Sequence, residues 1–153
     1  MSYYFDEKSA ERAVTFIERF CTHVKGELAG QPFILEDWQK IDIIRPLFGW
    51  KSEATGLRKY RTCYVEIPRK NGKSNLAAAI ALYLLFADGE PGAEIISAAG
   101  DRGQANIVFQ IAKEMISNNK HLRARAKVLR NIVEHKGSWY KSISAEAYTK
   151  HGL

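Results

Sequence analysis

The stretch Pro68-Arg-Lys-Asn-Gly-Lys-Ser74 holds the residues whose types and spacing could do chemistry. The backbone N–H groups of a loop that opens a helix form a concave anion site, and the helix dipole adds to its positive potential. Gly72 lets the backbone approach a phosphate, Lys73 supplies a mobile positive charge, and the Ser74 hydroxyl can ligate Mg²⁺. The sequence therefore predicts a phosphate-binding loop.

The loop departs from the usual pattern of such sites, G-x-x-x-x-G-K-[ST], at its first position. Ile67 stands where the pattern has glycine. A short Gly-Lys-Ser also arises by chance, so a plain turn that opens a helix is the alternative interpretation. The neighbouring residues favour the phosphate site, because the motif requires a strand before the loop and an apolar helix after it.

Strands and helices alternate around the loop. Residues 62–67 are rich in β-branched and aromatic types and predict a strand, whereas the Ala- and Leu-rich run over residues 75–87 predicts a buried helix. A second strand is predicted over residues 93–99 and a second helix over residues 101–118. This order is typical of right-handed crossovers and a parallel sheet, and hence of an α/β fold.

Two helices are predicted before this core. Apolar residues recur at helical spacing over residues 6–24, with Asp6 as a candidate N-cap. A second helix is predicted to begin near Glu36. Its buried face should carry four apolar residues: Trp38, Ile41, Ile44 and Phe48. We expect residues 49–59, which are polar and contain glycine, to form a loop.

Two strands are predicted after the core. They cover residues 128–135 and residues 139–145, with a hairpin turn around Lys136 and Gly137. Both segments are rich in β-branched or aromatic residues, which is typical of strands.

Four stretches, in this order along the chain, resemble the large terminase subunits of tailed phages, the motors that package DNA into capsids. Residues 33–39, which end in Trp-Gln, are similar to the family's adenine-recognition segment, and the loop with Arg69 resembles its deviant Walker A motif. Residues 88–105 resemble the strand and helix start after the first crossover. Residues 144–153 resemble the stretch before the Walker B strand, so the resemblance covers about residues 33–153.

The resemblance implies a division of the chain into two parts. Residues 1–60 would be an N-terminal helical segment that carries the adenine-recognition stretch. Residues 61–153 would be part of a P-loop ATPase core, an α/β domain whose parallel sheet is flanked by helices and is incomplete in this chain. ATP and Mg²⁺ are the implied ligands, with Ser74 as the metal ligand. The implied nucleotide-binding residues are Gln39, Arg69, Lys70, Asn71, Gly72, Lys73 and Ser74.

The family also implies particular roles. Gln39 would hydrogen-bond the adenine edge, and Arg69 would act with Lys73 as a catalytic group by stabilising charge on the γ-phosphate. The residues alone favour a helix-surface glutamine at position 39, and Arg69 and Lys70 can equally be electrostatic support for a phosphate site. Gln104, near a predicted helix start, is either a sensor of nucleotide or DNA or an exposed glutamine.

The sequence lacks the pair of carboxylates that ATP hydrolysis needs directly after an apolar strand. A phosphate-loop ATPase requires an acidic residue after an apolar strand to hold Mg²⁺, and usually a glutamate that orients the attacking water. No Asp-Glu or Glu-Glu pair follows an apolar strand here, and Glu134 is the best substitute. The resemblance places the Walker B strand just after Leu153. We therefore expect an N-terminal fragment that does not turn ATP over by itself.

Composition narrows the class of protein. The chain has 153 residues, of which 46% are hydrophobic and 26% charged, as in globular domains. The longest apolar run, residues 76–87, is too short to span a bilayer, and two cysteines cannot make a disulfide framework. Since no signal peptide is visible either, we expect a protein of the host-cell cytoplasm without a membrane partner.

Positive charge concentrates in the second part of the chain. Residues 1–60 contain nine basic and nine acidic residues, whereas residues 61–153 contain 14 and eight, which gives the whole net charge of +6. Between Lys120 and Lys141 there are seven basic residues, and Glu134 is the one acidic residue. This stretch is either a weak, non-specific contact for double-stranded DNA or a solvated helix face and hairpin.

Three functions compete. The favoured one is the ATP-binding N-terminal portion of a terminase large subunit, which the family pairs with a portal protein and a small terminase subunit. The alternative is a non-catalytic remnant that binds nucleotide or a packaging partner without turnover. A small nucleotide kinase has less support, because no arginine-rich substrate lid is evident in the sequence.

Overall fold

The chain folds around a largely buried helix that packs against three other helices and a sheet. The computed structural model describes residues 2–68, 72–100 and 102–144. Arg69, Lys70 and Asn71 of the loop lie outside the described residues, as does the stretch from residue 145 onward.

The first helix, α1, begins at the predicted N-cap. It runs from Glu7 to Phe20, and the Asp6 carboxylate accepts a hydrogen bond from the Ser9 backbone N–H (3.2 Å). The other carboxylate oxygen accepts from Lys51 Nζ (2.9 Å). The contact with Lys51, helped by the hydrogen bonds from Ser9, favours the charged form and holds the pKa of Asp6 well below its usual range.

A π-helical turn interrupts the second helical segment and changes which residues it buries. Helix α2 (Asp37–Gln39) leads into the π-turn Lys40–Ile44 and then into α3 (Arg45–Gly49). Because a π-turn holds more residues than an α-turn, Ile43 reaches the core and Ile41 is 59% exposed, so the predicted burial of Ile41 is wrong. The other predicted core positions are buried or partly buried: Trp38, Ile44 and Phe48.

Residues 49–59, which were predicted to be a loop, contain a strand. Strand β1 (Tyr3–Phe5) pairs antiparallel with β2 (Trp50–Ser52), and Phe5 lies opposite Trp50. The two rings meet edge to face, with centroids 5.3 Å apart. Strands of three residues are too short to show the alternation from which strands are predicted.

The buried helix, α4, spans Lys73–Phe86 and confirms the prediction for this Ala- and Leu-rich run. Tyr83 is 2% exposed and lies between two rings of the N-terminal helices. Its ring centroid is 5.6 Å from that of Phe16 on α1 and 4.8 Å from that of Phe48 on α3. Apolar and aromatic packing therefore fixes α4 against the N-terminal segment.

The main sheet is mixed. Its four strands are β3 (Glu94–Ala99), β4 (Lys127–Val128), β5 (Ile132–His135) and β6 (Ser138–Ser144). They lie in the order β3-β6-β5-β4, with β3 and β6 parallel and the other neighbours antiparallel. The predicted hairpin is confirmed, since Lys136 (φ 46°) and Gly137 (φ 84°) form the two-residue turn between β5 and β6.

Helix α5 (Arg102–Ser117) packs against both α4 and the sheet. The short helix α6 (Lys120–Arg125) follows it in the chain. Phe109 on α5 packs against Tyr140 of β6, with ring centroids 5.1 Å apart. The buried Tyr140 hydroxyl shares a hydrogen bond with Ser97 of β3. Among the described residues, no helix is long and apolar enough to cross a membrane.

Residues 61–68 form no strand, so the prediction of a strand over residues 62–67 is wrong. A strand requires a neighbouring backbone that accepts and donates its hydrogen bonds, and none of the described residues pairs with this segment. Tyr64 and Val65 are 83% and 40% exposed there. Strand β3 likewise pairs with β6 on one edge and with no described strand on the other.

We expect Asp6→Asn to lower the thermal stability of the protein at neutral pH and to have less effect in acid. Asparagine keeps an acceptor for the Ser9 N–H but removes the charge beside Lys51. Since the folded-state pKa of Asp6 is lowered, its charge stabilises the fold above the unfolded-state pKa, and this stabilisation is lost as the pH falls below about 4. Thermal unfolding between about pH 7 and pH 3 tests this, because a constant difference between wild type and variant contradicts it.

Candidate functional site

A cleft of about 810 Å³ lies beside the first residues of α4. Lys73 and Ser74 line it, together with Gln104 from the first turns of α5. The other walls are apolar and come from the N-terminal helices, residues 61–68, β3 and α5. They include Ile43, Leu47, Val65, Ala98, Ile107 and Val108. The structure therefore brings three of the polar residues singled out in the sequence to one cleft.

Gly72 gives the chain its sharp entry into α4. It is the N-cap residue and has φ 77°, in the left-handed region that side chains disfavour. A Cβ at this position would meet nothing within 4 Å among the described residues. Glycine is thus required here by the backbone conformation and not by lack of space.

The start of α4 concentrates positive potential. Its N-cap residue, Gly72, has no side chain with which to cap the helix, and no acidic residue lies in the first turn. Its first residue is Lys73, although a lysine is unfavourable beside the positive end of a helix dipole. None of the ion pairs among the described residues involves Lys73. The helix start and the ammonium group therefore both favour an anion in the cleft, and a phosphate group has the matching chemistry.

Gln39 is buried, is not among the residues that line this cleft, and is held by its own turn. It is 3% exposed, and its Oε1 accepts a hydrogen bond from the Glu36 backbone N–H (2.8 Å) in a reciprocal capping box. The Nε2 amide and the second lone pair of Oε1 are the groups with which it could serve a ligand. Farther along the same helical segment, Ile43 and Leu47 line the cleft.

A buried threonine holds the first turn of α4 in place, and sequence reasoning missed it. The Thr22 carbonyl accepts from Asn75 Nδ2 (3.4 Å), and its hydroxyl accepts from Asn118 Nδ2 (3.0 Å). These partners lie 53 and 96 residues away in the chain, so no spacing rule could connect them. Thr22 thereby links the phosphate-loop helix to the end of α5.

Among the described residues, no carboxylate lines the cleft. Glu134, the best substitute found in the sequence, lies on β5, and strand β6 separates it from β3. The described residues also contain no group of three or more His, Cys, Asp or Glu side chains that could hold a metal ion. Among the described residues, the cleft lining therefore contains no carboxylate that could act as a base for an attacking water.

The basic segment, as we name it, comprises four exposed residues: Arg123, Arg125, Lys127 and Arg130. The guanidinium groups of Arg123 and Arg125 donate to the backbone carbonyls of Ser117 and His121. No ion pair among the described residues involves this segment. These bonds orient the two arginines and leave their positive charge without a neutralising carboxylate.

Comparison with known proteins gives consistent matches. The family described as terminase large subunit, ATPase domain, matches residues 37–147, which include Gln39 and the loop. A terminase large subunit of Enterobacteria phage HK97 is 37% identical over 153 residues, covering 94% of this chain and 28% of that relative. The crystal structure of the HK97 bacteriophage large terminase is also similar, with a TM-score of 0.75 and 32% sequence identity over 90% of this chain and 27% of that one.

These matches confirm the resemblance seen in the sequence. The chain spans about 28% of the length of the HK97 relative. The family match extends over well more than half of the chain and includes the start of α4, the cleft and the mixed sheet. The chain therefore belongs to the terminase large subunit ATPase domain family.

Proposed function

We propose that the cleft binds ATP, with the triphosphate at the start of α4, as the nucleotide-binding part of a motor that packages viral DNA. Membership of an ATPase family implies nucleotide use. One observation carries the more specific proposal: α4 begins with Lys73, its N-cap residue is a glycine, and no acidic residue lies in its first turn. The helix dipole and the Lys73 ammonium group then both contribute positive potential where α4 begins.

Each residue of the loop has a role in this proposal. Lys73 would neutralise the terminal phosphates, and the first-turn N–H groups would bind their oxygens. Ser74 fits Mg²⁺, because it lines the cleft beside Lys73, its hydroxyl is a ligand type that Mg²⁺ accepts, and Mg²⁺ uses few protein ligands beside phosphate and water. Bound Mg²⁺ would offset the negative charge of the triphosphate. By the family resemblance, the remaining nucleotide contacts come from Gln39 at the adenine and from Arg69, Lys70, Asn71 and Gly72 at the phosphates.

In the whole motor, ATP hydrolysis would drive the translocation of double-stranded DNA in the host cytoplasm. A portal protein and a small terminase subunit would be its protein partners. The second candidate is a nucleotide-binding chain that does not turn ATP over, and the lack of a carboxylate in the described cleft lining favours it.

We expect Lys73→Ala to weaken ATP binding roughly ten- to a hundredfold, because charge-assisted contacts contribute about 1.5–3 kcal/mol. Calorimetric titration with ATP and Mg²⁺ measures this change. The matched control is Lys8→Ala, which removes the same charge from an exposed position on α1. Equal affinities of wild type and Lys73→Ala would refute the phosphate site.

We expect the chain alone to bind ATP without rapid turnover. Positioning of the attacking water and stabilisation of charge supply most of phosphoryl-transfer catalysis, and loss of one such group costs a factor of about a hundred or more. A steady-state phosphate-release assay tests this expectation, with Lys73→Ala as the control for contaminating ATPases. Lys73-dependent turnover of about one per second would show that residues of this chain complete the catalytic site.

We expect any binding of duplex DNA to be independent of sequence and to weaken steeply with salt. Changing Arg123, Arg125, Lys127 and Arg130 to alanine should flatten the salt dependence by about one unit for each phosphate that these side chains neutralise. Fluorescence anisotropy over a salt series provides the measurement. The control alters four exposed basic residues elsewhere: Lys8, Arg19, Lys25 and Arg61. An equal effect of both sets would contradict a role of the basic segment.

A further inference from the structure

We propose that Glu18 is a positioning residue that fixes Gln39 for recognition of the adenine base. This inference rests on the proposed nucleotide site. Glu18 lies in the last turn of α1, outside the loop and outside residues 33–39. Its side chain is 24% exposed, and its carboxylate points to the segment that carries Gln39.

The Glu18 carboxylate contacts the chain on both sides of Gln39. Its Oε2 accepts a hydrogen bond from the Leu35 backbone N–H (3.0 Å). The same oxygen lies 3.8 Å from Nζ of Lys40. A hydrogen bond to a charged acceptor is stronger than one between neutral groups, and partial burial shields this bond from water. One carboxylate oxygen thus holds both ends of the turn that presents Gln39.

The orientation of the Gln39 amide depends on the backbone that Glu18 anchors. The residue after Leu35 is Glu36, whose N–H donates to Gln39 Oε1 (2.8 Å). The Glu36 carboxylate accepts in return from the Gln39 backbone, and also from the Trp38 indole (2.5 Å). Because Gln39 is almost fully buried, the position of the Glu36 N–H determines where its amide nitrogen points.

A fixed amide matters for the choice of base. A carboxamide that rotates freely presents its oxygen and its nitrogen interchangeably, so it cannot distinguish the 6-amino group of adenine from the 6-oxo group of guanine. Groups that are fixed before binding also lose less conformational entropy when the ligand arrives. Glu18 should therefore affect the base-dependent part of nucleotide affinity and leave the phosphate-dependent part unchanged.

The rest of the segment has its own support. The Phe33 N–H donates to the Cys21 carbonyl (3.0 Å), and Thr22 pairs with Pro32. Phe33 is also buried in the core. Replacing Glu18 should consequently loosen the turn around Gln39 without detaching the segment from α1.

The experiment is calorimetric titration of the 153-residue chain with Mg²⁺ and three ligands: ATP, GTP and inorganic tripolyphosphate. Tripolyphosphate reports phosphate binding in the absence of a base. Glu18→Ala should weaken ATP binding about tenfold and lose the preference for ATP over GTP, with tripolyphosphate affinity unchanged. Glu18→Gln keeps an acceptor for the Leu35 N–H and should retain most of the affinity and the preference. The control is Glu27→Ala, at an exposed position in the loop after α1.

Two results would overturn the role of Glu18: unchanged ATP binding by Glu18→Ala, or an equal loss of ATP and tripolyphosphate, which indicates a general structural effect. Wild-type protein that binds tripolyphosphate but does not prefer ATP to GTP would refute the adenine role of Gln39 as well. Wild-type protein that binds none of the three ligands would refute the proposed function itself. Circular dichroism checks that each variant is folded. If Glu18→Ala does not fold, Glu18→Asp is used in its place, since it keeps the charge but has a shorter side chain. The expected losses of ATP affinity and of the preference for ATP over GTP are the same.

Discussion

The positive start of α4 is the constraint on which the site depends. The N–H groups of its first turn have no acceptors within the helix, and Lys73 adds a charge where a carboxylate would stabilise the helix better. Unwinding of the first turn is opposed by the burial of Leu76 and by the hydrogen bond from Asn75 to the Thr22 carbonyl. Packing therefore maintains a helix start that an anion would stabilise.

The cleft follows from the same helix. Residues 61–68 and strand β3 both contribute to its walls, through Val65 and Ala98 among others. Neither of these backbone segments has a paired strand facing the cleft among the described residues. The apolar walls beside Lys73 thus come from α4, α5 and the N-terminal helices as well as from these two segments.

Local signals in the sequence predicted the parts of the fold that depend on neighbouring residues. The cap at Asp6, the apolar run of α4 and the hairpin turn at Lys136 and Gly137 each have a signature within a few residues. The strand over residues 62–67 was predicted wrongly, because composition cannot show whether a partner strand lies alongside. The π-turn was not predicted, because the periodicity used to recognise a helix assumes α-turns throughout.

The sequence predicted those residues of the candidate site that belong to the loop motif or lie near a predicted helix start. Lys73, Ser74 and Gln104 do line one cleft, whereas the supports at Thr22 and Glu18 act across distant parts of the chain and leave no pattern in the sequence.

The most direct test of the central claim is a titration of ¹⁵N-labelled protein with ATP and Mg²⁺, followed by NMR. The account predicts that the largest shifts fall on the backbone amides of Gly72, Lys73 and Ser74, accompanied by the side-chain amides of Gln39 and Gln104. Shifts confined to the basic segment, with the start of α4 unchanged, would contradict it.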